Sequence, residues 1–252
     1  MNSVFRFKTN PGNQSPASYG QISTDEIQRM STPEFLVFKE RLVNVRHRER
    51  YDMAVFEAVI IPAGTTKDLF RKGTGQEDTF ATSDTEYKKT RQHTNMHRGG
   101  EFEQGSLIII TDISAPKAFF SGLPTAVVNG IVTNARATFP AYIDPALALD
   151  TWLNCVELDY REGEASIIAE PLTRYAQNSG VSGVIGGSNG GIIQNAFMPS
   201  LSLDNPRVLE GGEDFSVRLQ TMSPFDASAT GVNMPIAQKV VLSTTELVNV
   251  RA

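Results

Sequence analysis

The chain has 252 residues, a net charge of −5, and is 40% hydrophobic and 20% charged. Those values describe an ordinary globular protein and exclude a disulfide-built miniprotein, because Cys155 is the single cysteine. They also argue against a protein that grips nucleic acid over its whole surface, since phosphate contacts demand a positive field.

The first residues, Met1 to Lys8, contain no apolar core of the kind a secretory leader carries. The longest purely aliphatic run, Leu107 to Ile110, is far short of the roughly 20 residues of a membrane span. Residues 1 to 22 are rich in Asn, Gly, Pro, Ser and Gln and lack periodicity, which predicts an extended arm. Two capping boxes follow, Ser23 with Glu26 and Ser31 with Glu34. Phe35, Phe38, Leu42 and Val45 then recur at helical spacing, which predicts a helix ending before Tyr51. Its C-terminal part is basic. Lys39, Arg41, Arg46, Arg48 and Arg50 stand against Glu40 and Glu49, a local net of +3. Such an asymmetry marks either a contact face or a solvated helix surface.

Beyond Tyr51 the pattern shortens to that of strands. Expected strands are Phe56 to Ile61, Leu107 to Ile113, Ala126 to Val132, Val156 to Tyr160, Ser166 to Ala169, Ile192 to Phe197, Leu201 to Leu203, Phe215 to Leu219, Lys239 to Leu242 and Leu247 to Val250. Turn residues separate them. Strands in series with few helices between imply an all-β antiparallel sandwich or barrel, and roughly nine or ten strands suit the eight of a jelly roll. A single elaborated roll is favoured, with a double jelly roll as the alternative. The expected organisation is an N-terminal arm with a helix over 1–50, then a jelly-roll domain over 51–252 with an insertion around 115–150. A short helix is expected near Asp144 and Pro145, and residues 179–191 read as a glycine-rich surface loop.

No catalytic constellation emerges. Gly186-Gly187-Ser188-Asn189-Gly190 matches a nucleophile elbow, yet a loop precedes it and all three histidines lie upstream. His93 and His97 are followed by Glu101 and Gly105, in the manner of a cupin metal site. On a strand, residues four apart stand about 13 Å apart and cannot share one ion. The carboxylate pairs Glu101 with Glu103, and Glu157 with Asp159, fit solvent-facing alternation. Trp152 lies in an apolar stretch and is expected in the core. No catalytic, metal or cofactor residue is therefore assigned.

The segment from Thr94 to Ile113, with Phe215 to Leu219 and the last strand ending at Arg251, resembles jelly-roll virion proteins of tail-less icosahedral bacteriophages. The resemblance covers roughly residues 90–252. It implies a non-enzymatic coat subunit, made in the host cytoplasm and found in the virion, that assembles as a trimer or higher oligomer and meets other virion proteins. The arm supplies the expected contact residues, Phe35, Phe38, Arg41, Leu42, Arg46, Arg48 and Arg50. Their partner is a neighbouring subunit, or an anionic membrane or genome surface. The competing readings are a β-sandwich module for a ligand or carbohydrate, and a cupin-like metal enzyme.

Overall fold

The computed structural model describes residues 4–9, 19–57, 60–102, 104–115, 118–120, 126–128, 131–133, 151–175, 202–226 and 235–248. Strand predominates over helix, and every strand pair is antiparallel. The order begins β1 (Val4–Lys8), β2 (Tyr19–Ser23), α1 (Thr24–Arg29), α2 (Thr32–Phe38), β3 (Val45–Phe56), β4 (Ile60–Ile61) and β5 (Thr66–Leu69). It continues with β6 (Glu77–Thr79), β7 (Glu86–Lys88), β8 (Ser106–Ser114), β9 (Phe119–Phe120), β10 (Ala126–Val128) and β11 (Ile131–Thr133). The helical residues 151–155 lead into β12 (Val156–Glu162) and β13 (Ala165–Pro171). The series closes with β14 (Ser202–Glu210), β15 (Phe215–Thr221), β16 (Phe225–Asp226) and β17 (Ile236–Val248).

Two sheets hold the main core between them. The first runs β14-β8-β17-β3, with β9 added beside β17, and the second runs β13-β12-β15-β5. The chain passes between them in a fixed rhythm. β3 lies in the first sheet, β5 in the second, β8 in the first, β12 and β13 in the second, β14 in the first, β15 in the second and β17 in the first. Between the sheets, Ala54, Phe56, Ile108, Ile110, Val240 and Leu242 meet Leu69, Val156, Leu158, Tyr160, Val217 and Leu219. Trp152 belongs to this core, as expected. It packs edge-on to Phe56 at 4.7 Å and donates its indole N–H to Gln238 Oε1 at 3.2 Å.

β8 explains how its apolar run is used. Ile108 and Ile110 face the main core, whereas Leu107 and Ile109 face a second cluster outside the sheet. Ser243 pairs with Asp112 and Thr244 with Ile110, so Thr111 is an extra residue. That bulge switches the alternation and turns Ile113 inward beside Ile110, although the two are three residues apart. Pro206 sits in β14 at a sheet edge, within a register irregularity between Ser202 and Arg207, where its missing N–H breaks no ladder bond.

Several expectations need correction. The helix predicted to run to Val45 stops earlier: α2 ends at Phe38, a 3-10 turn spans Lys39–Arg41, and β3 starts at Val45. Asn44 adopts a left-handed φ of 62°, which no helix continues through. β3 therefore crosses the expected boundary between residues 50 and 51. The extended arm contains a hairpin, β1 against β2. Ala126 to Val132, expected as one strand, divides into β10 and β11 of another hairpin. The two expected C-terminal strands are the single β17. The expected strand Ile192 to Phe197, the glycine-rich loop and the helix near Pro145 lie outside the described residues.

Candidate assembly surface

The arm is folded onto its own sheet. Ser31 Oγ accepts the Glu34 N–H, and the Glu34 carboxylate accepts the Ser31 N–H at 2.9 Å; Ser23 and Glu26 repeat the exchange. These reciprocal bonds hold both carboxyls below their usual range, the hydrogen bond from the serine backbone first. Phe35, Phe38, Leu42 and Val45 do gather into one cluster, as their spacing suggested, although a helix, a turn and a strand supply them. They meet Ile22, Ile27, Leu107, Ile109, Val208 and Leu247. The contact residues Phe35 and Leu42 are thus buried against β8, β14 and β17 of the same chain. Arg41 is also engaged internally. Its guanidinium lies over Phe7 at 5.2 Å and Phe38 at 5.7 Å, and its Nε donates to Lys8 O at 3.1 Å.

Arg46, Arg48 and Arg50, expected on a helix, alternate along β3 and share one face. Arg50 is buried and lies 3.5 Å from Glu246 of β17, whose carboxylate is also 3.8 Å from Arg48 Nε. Arg50 further stands over the Phe102 ring at 5.9 Å. Beside it opens a cleft of about 310 Å³ that Met96, His97, Arg98, Glu101 and Phe102 also line. Arg46, His47, Arg48 and Glu49 stay exposed on both faces, although this half of β3 pairs with β17. β3 is an edge strand, and the loop side chain Asn95 guards part of that edge: its Oδ1 accepts the Tyr51 N–H and its Nδ2 donates to Glu49 O. The two arginines beyond Asn95 are the charges that usually discourage indiscriminate strand pairing.

The remaining sequence candidates separate. His93 and His97 lie in a loop, neither strand nor helix, and His93 Nδ1 accepts the Thr90 N–H at 3.0 Å. Burial holds the His93 imidazole below its usual pKa, helped by the Lys89 charge and opposed by Asp52. Glu157 and Asp159 lie on β12, where Asp159 accepts the Ser166 hydroxyl at 2.6 Å. Glu103 and the Gly186–Gly190 stretch are outside the described residues. Among the described residues, no three His, Cys, Asp or Glu side chains converge as metal ligands, and no helix is long and apolar enough to cross a membrane. Sequence reasoning missed one dense polar site, the buried group of Asp52, Lys67, Asp78 and Lys89. The available signal was phase: Asp52 alternates with Ala54 and Phe56 and so had to point inward.

Comparison with known proteins yields no match: no family model, no curated protein and no solved structure.

Proposed function

We propose that the chain is a coat subunit of an icosahedral virion, built on a single jelly roll. The observation that carries the reading is the strand order. Eight strands form the sheets β3-β17-β8-β14 and β5-β15-β12-β13, and successive strands change sheet at every step except β12 to β13. This order fits the winding of a jelly roll, an architecture that coat proteins share with lectins and cupins. The fold alone does not choose among those functions. The coat reading rests further on the sequence resemblance. The contact element is the exposed first half of edge strand β3 with Arg46 and Arg48, rather than the apolar stripe of the arm, which is buried within the chain.

Negative-stain imaging and sedimentation of the purified chain test the proposal. Closed particles or capsomer-sized oligomers are expected. A chain that remains a monomer across protein concentration and salt, and binds a sugar or other small ligand instead, would establish the binding-module reading.

A further inference from the structure

Asp52 and Lys89 are the most deeply buried charges described, 0% and 1% exposed. Lys89 Nζ lies 2.7 Å from Asp52 Oδ1 and 2.8 Å from Oδ2. Two such distances at once set the amine within the about 3–3.5 Å of the carboxyl carbon that a near-attack arrangement requires. A second carboxylate reaches the same amine: Asp78 Oδ2 is 3.1 Å from Nζ. Asp78 is itself held in place, its Oδ1 accepting from Lys67 Nζ at 2.6 Å and from the Thr79 N–H at 2.9 Å. Backbone donors aim at the first carboxyl. The Met53 N–H donates to Oδ1 at 2.9 Å and the Phe70 N–H to Oδ2 at 2.5 Å. Phe70 makes that bond from a left-handed φ of 65°, an arrangement that a bulky residue keeps only where its surroundings enforce it.

An ordinary buried ion pair would account for the attraction between Lys89 and Asp52. It does not call for the second carboxylate on the amine or for two amides aimed at the carboxyl oxygens. Those are the parts of an acyl-transfer site: a nucleophile, an electrophilic carboxyl, a proton carrier and donors for a developing oxyanion. Burial raises the Asp52 pKa, outweighing the pull of Lys89 and the amide bonds, which favours the neutral acid that the reaction needs. For Asp78 burial acts upward too, but the Lys67 hydrogen bond and the Lys89 and Lys67 charges outweigh it and hold the group ionised, able to accept a proton.

We propose that Lys89 and Asp52 join in an intramolecular isopeptide bond, with Asp78 as the proton carrier. Proton transfer within the pair leaves a neutral amine and a neutral carboxylic acid. The Nζ lone pair adds to the Asp52 carboxyl carbon, and the negative charge that develops on Oδ2 faces the Phe70 N–H. Asp78 takes a proton from the nitrogen and delivers it to the departing hydroxyl on Oδ1. The C–O bond breaks, an amide remains and one water leaves, with no oxidant or co-reactant. The product ties β3 to the excursion between β5 and β8, which among its described residues contains only the short strands β6 and β7. The bond would staple that excursion whatever the chain's larger role.

Intact-mass spectrometry of the full-length protein under denaturing conditions is the test. The expected mass is lower than the sequence mass by one water, and digestion should release a branched peptide linking residues 52 and 89. Asp52→Asn should instead lose one ammonia, because the leaving group changes while the bond does not. Asp78→Asn should keep its full mass. A wild-type chain that keeps its full sequence mass after prolonged incubation in the folded state overturns the proposal, and that measurement requires no variant to fold. A lost water that maps to any pair other than Lys89 and Asp52 overturns it as well.

Discussion

The outer faces of the two sheets are treated in opposite ways. On the β14-β8-β17-β3 sheet, Leu107, Ile109, Val208 and Leu247 point outward and are covered by the hairpin and helices of the arm. On the β13-β12-β15-β5 sheet the outward face carries charged pairs. Arg218 donates to Asp68 at 2.7 and 3.2 Å, and Asp159 and Arg161 stand nearby on β12. The strand patterns show the difference directly. β8 is buried at all nine positions, whereas β12 alternates between buried and half-buried residues over its first five positions. A continuous apolar run means that something covers both faces, and alternation means that one face meets water. Here the cover comes from the same chain, so the arm is part of the fold.

The strongest challenge to that comparison is removal of the arm. Deleting residues 1–43 uncovers four large side chains at roughly 1.5–3 kcal/mol each, a large share of the about 5–15 kcal/mol that typically separates folded from unfolded states. The truncated chain is expected to lose cooperative thermal unfolding or to precipitate. This differs from the separable assembly arm suggested by its polar composition. If the truncated chain melts like the full one, the arm is peripheral after all.

Point substitutions sharpen the same contrast. Phe35→Ala, under the arm, should cost about 3–5 kcal/mol, close to Phe215→Ala in the main core, because both side chains are fully buried. Denaturant titrations of the pair make the measurement, and a Phe35 effect below a third of the Phe215 effect would separate the two clusters energetically. Ser31→Ala removes a capping box from α2 and should cost about 1 kcal/mol by the same assay.

The charged sheet should respond less. Asp68 and Arg218 are each about one-third exposed, so solvent screening limits their coupling to below about 1 kcal/mol in a double-mutant cycle. The hydrogen bond from Arg218 outweighs burial and holds the Asp68 pKa below 3.8. A depressed folded value means that the stabilisation is fully present above the unfolded pKa and disappears as pH falls through the folded one. Asp68→Asn should therefore destabilise slightly at neutral pH and flatten the acid limb below about pH 4; an unchanged acid limb would show that the pair contributes nothing. Smallest of all in stability, replacing exposed Arg46 with glutamine should change unfolding by less than about 0.5 kcal/mol. Under the proposed function the same variant loses assembly by sedimentation, which divides contact from fold.

Sequence alone determined the local elements. Both capping boxes, the bulk of β8, β12 and β15, the β-rich class and the core placement of Trp152 depend on neighbours within a few positions, and they were legible there. Tertiary structure decided the rest. The apolar stripe from Phe35 to Val45 satisfies a helical period, yet Asn44 turns left-handed and β17 offers a pairing edge, so the chain extends from Val45 onward. Ser243 to Glu246 resemble a break between two strands because they are polar. They remain in β17 because β3 and β8 pair with them on both sides, and because Arg50 compensates buried Glu246. In the same way Lys89 shows no apolar pattern, and it is interior only because Asp52, distant along the chain, and Asp78 of the neighbouring β6 meet it there. A side chain's own chemistry sets its cost of burial, but the partners that offset this cost come from strands far away in sequence, and only the assembled sheets bring them within reach.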